Sequence, residues 1–397
     1  MESKDDSLRN LFQPDIVKVI NEKIDALSPS LRKVSLELWN HPEVAFEEQH
    51  AHDVLTSFIS EHGFTVTKSY LGLSTAWRAE YSRGRSGRVI GINSEMDALP
   101  GLGHACGHNL IAVSGIAVAI ALRAVMEARD IPGKIILLGT PAEEHGGGKI
   151  KLLEKGAYDE MDVCVMCHPG PGAADTAYIS SWLALQPLEV EFLGHSAHAA
   201  YSPWEAQNAL DAAFLAYSSI SVLRQQIKPT HRVHGIVSGQ NWEPNVIPDY
   251  AKMRWIVRAP TWKEVDELRA RVTACFEAAG LATSCKVKVT LGAGYYDVRQ
   301  NNPLSECLSY LSSFNSYPKE YIPGDAFRSI IETLPSIQPN YSIPTEKNGG
   351  NHTPDFAKSA RTEKAHEITM SVSKGLALTA LRVLQDDEFY HEVCGYA

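Results

Sequence analysis

Residues 93–109 read NSEMDALPGLGHACGHN, and they follow directly on RVIGI at 88–92, a short apolar run with the look of a buried strand. Within one turn the chain places Glu95, Asp97, His104, Cys106 and His108, and then opens an apolar, helix-like segment at 110–126. Carboxylate, imidazole and thiolate are the side chains that bind divalent transition metals, and a glycine-punctuated loop can bring Cys106 and His108 onto one ion. Such a triplet needs partners from elsewhere in the chain. They are supplied by TPAEEH at 140–145, CVMCH at 164–168 and NHTPDF at 351–356. These stretches lie after apolar strand-like runs, and open α/β sheets assemble their sites beyond the carboxyl ends of their strands. The expectation is therefore an α/β fold with one site.

Working outward, strand and helix alternate: strands at 65–70, 76–81 and 88–93, helix 110–127, strand 134–139, helix 147–154, strand 161–166. Ahead of them the apolar spacing predicts two helices, 8–27 and 29–40, and a third that opens at the PEVAFEE stretch of 42–48. The pattern changes after Trp182. A strand at 188–192, a helix-like run at 203–226, strands at 231–238 and 252–258, a helix at 262–279 and a strand at 285–290 make one β-α-β-β-α-β unit, the ferredoxin-like order. Helical spacing returns at 303–314 and 363–384, so this unit is an insert.

At 397 residues the chain is long enough for two domains. Apolar and charged fractions of 44% and 21% are those of a globular protein. A formal charge of −10 without any Lys/Arg cluster argues against a nucleic-acid partner. Seven cysteines lack the spacing of a disulfide framework, and Cys164 and Cys167 sit in an apolar strand pattern, so they read as core in a reducing compartment. The first residues have no apolar signal core, and no stretch is predicted to cross a bilayer, which makes the cytoplasm the expected location and a membrane partner unexpected.

DALPGLGHACGHN, PAEEHGGGK, CHPG, FLGHSAHAA, PNVIPDY and NHTPDF, in this order, resemble the M20 family of metallopeptidases and amidohydrolases, over nearly the whole chain. More narrowly they are similar to its branch of acyl-amino-acid, dipeptide and aminobenzoyl-glutamate hydrolases. The resemblance implies a zinc-peptidase-like α/β/α catalytic domain from 1–186 and 297–397, with the insert of 187–296 as lid and dimerisation domain. It implies Cys106, His108, Glu144, His168 and His352 as ligands of one or two divalent ions, zinc ahead of manganese or cobalt. From the residues alone, Glu143 and Glu144 are adjacent carboxylates that can diverge, one to a metal and one to a water. The resemblance makes Glu143 the general base for a metal-activated water and Asp97 the residue that orients a ligand. His198 is implied to reach the partner subunit's active site and stabilise the oxyanion, with His195 competing for the role. Asn245 and Arg258 are implied to grip the substrate.

The expected activity is hydrolysis of the amide bond of a small N-acyl amino acid or dipeptide by a homodimer. Glu95, two before Asp97, has no assigned role. Two departures from the branch stand out. His145 replaces a glycine beside the paired glutamates, where it can add a ligand, shift the base or crowd the water. PGDAFR at 323–328 replaces a Ser-Thr-Asp-Met-Gly run, keeping only Asp325. They keep two other readings open: an enzyme that forms or exchanges an amide in a specialised biosynthetic route, and a non-hydrolytic binding protein.

Overall fold

The structure is a computed structural model that describes residues 14–174, 176–178, 183–292, 301–311, 315–316 and 333–395. They fall into two units, one holding the described residues of Met1–Ser180, Arg299–Glu320 and Asp325–Ala397, the other those of Ser181–Val298.

Helix α1 (Pro14–Asn40) buries Ile16, Ile20, Ile24, Leu27, Leu31, Val34 and Leu38 along one face. Two helices meeting at Pro29 were expected, and the described part of this segment is instead continuous. Proline forfeits one helical hydrogen bond. The buried stripe, however, stays in phase on both sides of it, and both the hydroxyl and the carbonyl oxygen of Ser28 lie 3.0 Å from His366 Nε2, so packing outweighs the local cost.

Helix α2 (Gln49–Glu61), strands β1 (Thr65–Lys68), β2 (Trp77–Arg83) and β3 (Val89–Glu95), helix α3 (His108–Arg129), strand β4 (Gly133–Thr140), helix α4 (Gly148–Glu154) and strands β5 (Val163–Val165), β6 (His168–Pro171) and β7 (Thr176–Tyr178) follow. β4 sends Ile135 and Leu137 into one core and Ile136 and Leu138 into another, so its sheet is covered on both faces. That is why the strand reads as an unbroken apolar run. Contrary to expectation, α3 is long and apolar enough to cross a membrane. Most of its best window, 89%, is buried inside the protein, as befits a central core helix.

The insert builds β8 (Ala184–Leu193), α5 (Ala209–Leu223), β9 (Arg232–Gly239), β10 (Tyr250–Ala259), α6 (Trp262–Thr283) and β11 (Lys286–Leu291). Its antiparallel sheet runs β11-β8-β10-β9, the ferredoxin-like order. Asn208 and Thr261 cap the two helices, Asn208 accepting the backbone N–H groups of Leu210 and Asp211 and Thr261 that of Glu264. Leu188, Val190, Phe192, Met253, Trp255 and Val257 pack with both helices in a core of their own.

The chain then returns to the first unit with α7 (Asn302–Leu311), β12 (Asn315–Ser316), β13 (Ser336–Ile337), β14 (Asn340–Ile343), α8 (Pro354–Ala360), α9 (Glu363–Gln385) and α10 (Asp387–Gly395). Its main sheet has the order β1-β2-β4-β3-β5-β13. β3, β4, β5 and β13 are parallel, and Glu95 pairs with Thr140, so the loops after β3 and β4 leave the sheet side by side. From β3 the chain moves to one side for β4 and crosses to the other for β5. Between those loops lies the crevice where open α/β sheets bind ligands. A second sheet, β12-β7-β14-β6, was not expected from the sequence.

Candidate metal centre

The HACGHN stretch divides into anchors and donors. His104 is buried with Nε2 3.1 Å from the Leu38 carbonyl, and burial pushes its pKa down to about 3, so the ring stays neutral. The Asn109 amide donates to Ser35 Oγ at 2.9 Å and to the Ala360 carbonyl at 3.1 Å, tying the start of α3 to α1 and α8. Gly107 between them has φ +82°, and a Cβ there would meet Pro169 Cγ at 2.5 Å, so only glycine fits. Cys106 and His108 are left to face the crevice.

The loop of Glu143 and Glu144 is held by two buried carboxylates. Ala142, at φ 55°, donates its backbone N–H to Glu48 Oε1 at 2.8 Å, while Glu48 Oε2 accepts the Thr75 hydroxyl at 2.7 Å. Glu144 donates its backbone N–H to Asp97 Oδ2 at 2.9 Å. His168 opens β6, its backbone N–H on the Pro339 carbonyl at 3.0 Å and its Nδ1 2.8 Å from the Pro169 carbonyl, which aims Nε2 at Cys106 Sγ, 3.5 Å away. His352, at φ 67°, is hung by its backbone N–H from the Ala105 carbonyl at 2.8 Å.

Cys106, His108 and His168 bring one donor atom each within 4.8 Å of one another, and so do Cys106, Glu144 and His352, the two triads sharing the cysteine. All five expected ligands are thus gathered. His108 Nδ1 donates toward the Asp97 carbonyl at 2.8 Å and Oδ1 at 3.2 Å, which turns Nε2 toward Glu144 Oε1 at 3.8 Å and Glu143 Oε2 at 3.9 Å. His352 Nε2 is 3.3 Å from Glu144 Oε2. Glu144 Oε1 is buried without a hydrogen-bond partner among the described residues, and His108 Nε2, also buried, faces the Glu95 carboxylate at 3.2 Å. A buried, mixed sulfur, nitrogen and oxygen set with several carboxylates converging on it fits a divalent cation.

Burial pushes the His108 ring down, but the Glu95 and Asp97 carboxylates outweigh it and hold it well above the usual imidazole range, so the pocket favours a positive charge at this point. Burial pushes the Asp97 carboxyl up, but His108 and the backbone N–H groups of Glu144 and Glu143 outweigh it and hold it below the usual carboxylate range. Glu144 is likewise raised by burial and brought lower by His352 and His108. Burial pushes the Cys106 thiol up, so a thiolate there requires a cation beside it.

Three neighbours escaped the sequence reading as site residues. Glu48 was part of a helix start, and Asn351, whose amide donates to Cys106 Sγ at 3.6 Å and the Pro169 carbonyl at 3.1 Å, was only the neighbour of an expected ligand. Lys149, at the end of PAEEHGGGK, is wholly buried and ion-paired to Glu95. Glu95 itself lies with Oε2 3.2 Å from His108 Nε2. His145 is exposed and belongs to none of the donor clusters of the described residues.

In the insert, His198 and Asn245 stand on facing loops: residue 198 bridges Val246, and the Ala199 N–H donates to the Asn245 carbonyl at 3.0 Å. His198 Nδ1 accepts the backbone N–H groups of Ala200 and Tyr201, both at 3.2 Å, so the ring's proton sits on Nε2. The side chain is exposed, as are those of Asn245 and His195. Arg258 lies apart from them on β10, half-buried, its Nε 3.4 Å from His234 Nε2 and its Nη1 buried without a hydrogen-bond partner among the described residues. Burial lowers its pKa. Asp325 and the 323–328 departure lie outside the described residues.

Residues 91–333 match the family model of peptidase family M20/M25/M40. The chain is 41% identical over 384 residues to the Xaa-Arg dipeptidase of Mus musculus, covering 91% of this chain and 88% of that one. It is 31% identical over 375 residues to a p-aminobenzoyl-glutamate hydrolase chain of Escherichia coli, covering 89% and 77%. The crystal structure of a dinuclear metal binding peptidase of the M20 family from Bacillus subtilis superposes with a TM-score of 0.68 at 20% identity, over 91% of this chain and 99% of that one. With the six motifs in order and more than half its length matched, the chain belongs to peptidase family M20/M25/M40.

Proposed function

We propose that the protein is a metal-dependent amide hydrolase of small dipeptides or N-acyl amino acids, with dipeptides ending in arginine as its preferred class. The observation that carries this is the convergence of Cys106, His108, Glu144, His168 and His352 with the Glu143 carboxylate beside them. The preference for a C-terminal arginine is taken from the name of the mouse relative, Xaa-Arg dipeptidase. Those five residues would hold one or two divalent ions, zinc ahead of manganese or cobalt; a bound ion polarises the scissile carbonyl and lowers the pKa of a water. Glu143 takes the proton of the attacking water and delivers it to the leaving amine nitrogen. Asp97 keeps His108 turned with Nε2 toward the other donors.

His198, protonated on Nε2, suits an oxyanion donor, and Asn245 on the facing loop suits a second substrate contact. The guanidinium of Arg258, with no carboxylate partner among the described residues, suits the substrate's own carboxylate through paired donors. The insert reads as lid and dimerisation domain: β9 is an edge strand, and α5 exposes Phe214 and Val222 at 58% and 72%, surfaces that a two-fold pairing would bury. Seven unpaired cysteines suit a reducing compartment, the cytoplasm. The test is a panel of Xaa-Arg, Xaa-Lys and acyl-amino-acid substrates, read by mass spectrometry of both product halves before and after chelation. Cleavage lost on chelation and restored by zinc or manganese is expected. Turnover in fully metal-free protein, or cleavage of no amide in the panel, overturns the reading.

A further inference from the structure

Lys149 and Glu95 are wholly buried, and the ammonium is ion-paired to Glu95 Oε1. The five-ligand reading uses neither. Yet the other Glu95 oxygen lies 3.2 Å from His108 Nε2, and one donor atom each from Glu95, His108 and Glu143 fall within 4.8 Å of one another. Placed there, an unrestrained carboxylate would bind any ion held by His108. A buried lysine is itself costly and persists only where its charge is matched. It also reaches Glu95 from the first turn of α4, the helix that follows the loop of Glu143 and Glu144, so one motif supplies the ligand, the base and this cation.

We propose that Lys149 is a positioning residue that sets the metal preference of the centre: its ammonium holds Glu95 back from the ion, so that the carboxylate shapes the field of the site without becoming a ligand. The inference rests on the five-residue metal centre proposed above. Its chemical consequence follows from ligand softness. With Glu95 restrained, the set keeps its thiolate and imidazole character and favours zinc; with Glu95 released, it gains a hard oxygen donor and shifts toward manganese.

The experiment strips the full-length protein of metal and measures zinc and manganese affinities by competition with a chromophoric chelator, with elemental analysis of the bound ions. Lys149→Met is expected to raise manganese affinity relative to zinc by about tenfold or more, the scale on which residues that orient ligands act. In Lys149→Met/Glu95→Gln, where the released group is a neutral amide, the ratio should return to the wild-type value. Glu95→Gln alone should keep its metal, whereas Glu144→Gln should lose it. A folded Lys149→Met protein, checked by circular dichroism, with an unchanged ratio overturns the inference. So does a Glu95→Gln protein that loses metal as Glu144→Gln does, since Glu95 would then be a ligand; this arm decides the matter even where Lys149→Met does not fold. Wild-type protein that takes up no ion overturns the metal centre itself.

Discussion

The donor cluster of the first unit and the loop face of the insert solve opposite problems. Glu95, Asp97 and His108 are at most 1% exposed, and each is oriented by a second group: Lys149 on Glu95, the Glu144 N–H on Asp97, Asp97 on His108. In the insert, His198 and Asn245 are exposed, and His198 is steered only by two N–H groups of its own loop. Burial makes an unpaired polar group costly, so a buried site must be organised before its ligand arrives. An exposed donor costs little to hold ready, and gains strength only when water is excluded around it.

The difference is sharpest in the response to substitution. Glu144→Ala removes one of the proposed ligands, and both bound metal and turnover should fall below detection, by elemental analysis and product assay. Glu143→Ala should separate the two functions: turnover drops about 10²–10⁴-fold, the usual worth of a general base, while metal content stays at the wild-type level. A Glu143→Ala protein that also loses its metal would make Glu143 a ligand.

His198→Ala should lower kcat about 10²–10³-fold and leave metal untouched. If the histidine acts across a dimer, Glu143→Ala and His198→Ala proteins should complement one another once subunit exchange has been verified by tagged co-purification. Absence of recovery in confirmed hybrids would confine His198 to its own chain. Arg258→Met should appear in KM, with a rise of about 10–100-fold for substrates with a free carboxylate, the worth of one charge-assisted contact, and no rise for their amides. An equal effect on both would remove the carboxylate assignment.

The smallest expected effect is on stability. Burial lowers the His366 pKa from 6.5 to about 4. Below the unfolded value the unfolded chain binds the extra proton, so this contribution is complete above pH 6.5 and is lost as pH falls toward 4, by up to about 3 kcal/mol. Denaturant melts of metal-free protein should show that decline, and it should flatten in His366→Gln. An unchanged slope would mean that the ring is hydrated or protonated in the native state.

Where the sequence was legible, the signal was local. Alternating and helically spaced apolar runs are read within one element, and the β-α-β-β-α-β order of the insert needs nothing more. Strands of two to four residues, such as β12, β7 and β6, are too short to carry a period, which is why the second sheet was missed. Pro29 was misread because a breaker is a local signal and the stripe that overrides it is a tertiary one.

The site divides along the same line. Which residue types could bind a metal, and that they follow strands, was determined by the sequence, because ligand chemistry belongs to the side chain. That Glu48 clamps Ala142 across 94 positions, that Lys149 lies against Glu95, and that Cys106 serves two triads were decided only by the tertiary structure. A buried charge has to find its partner in space, and no pattern along the chain records which partner that is.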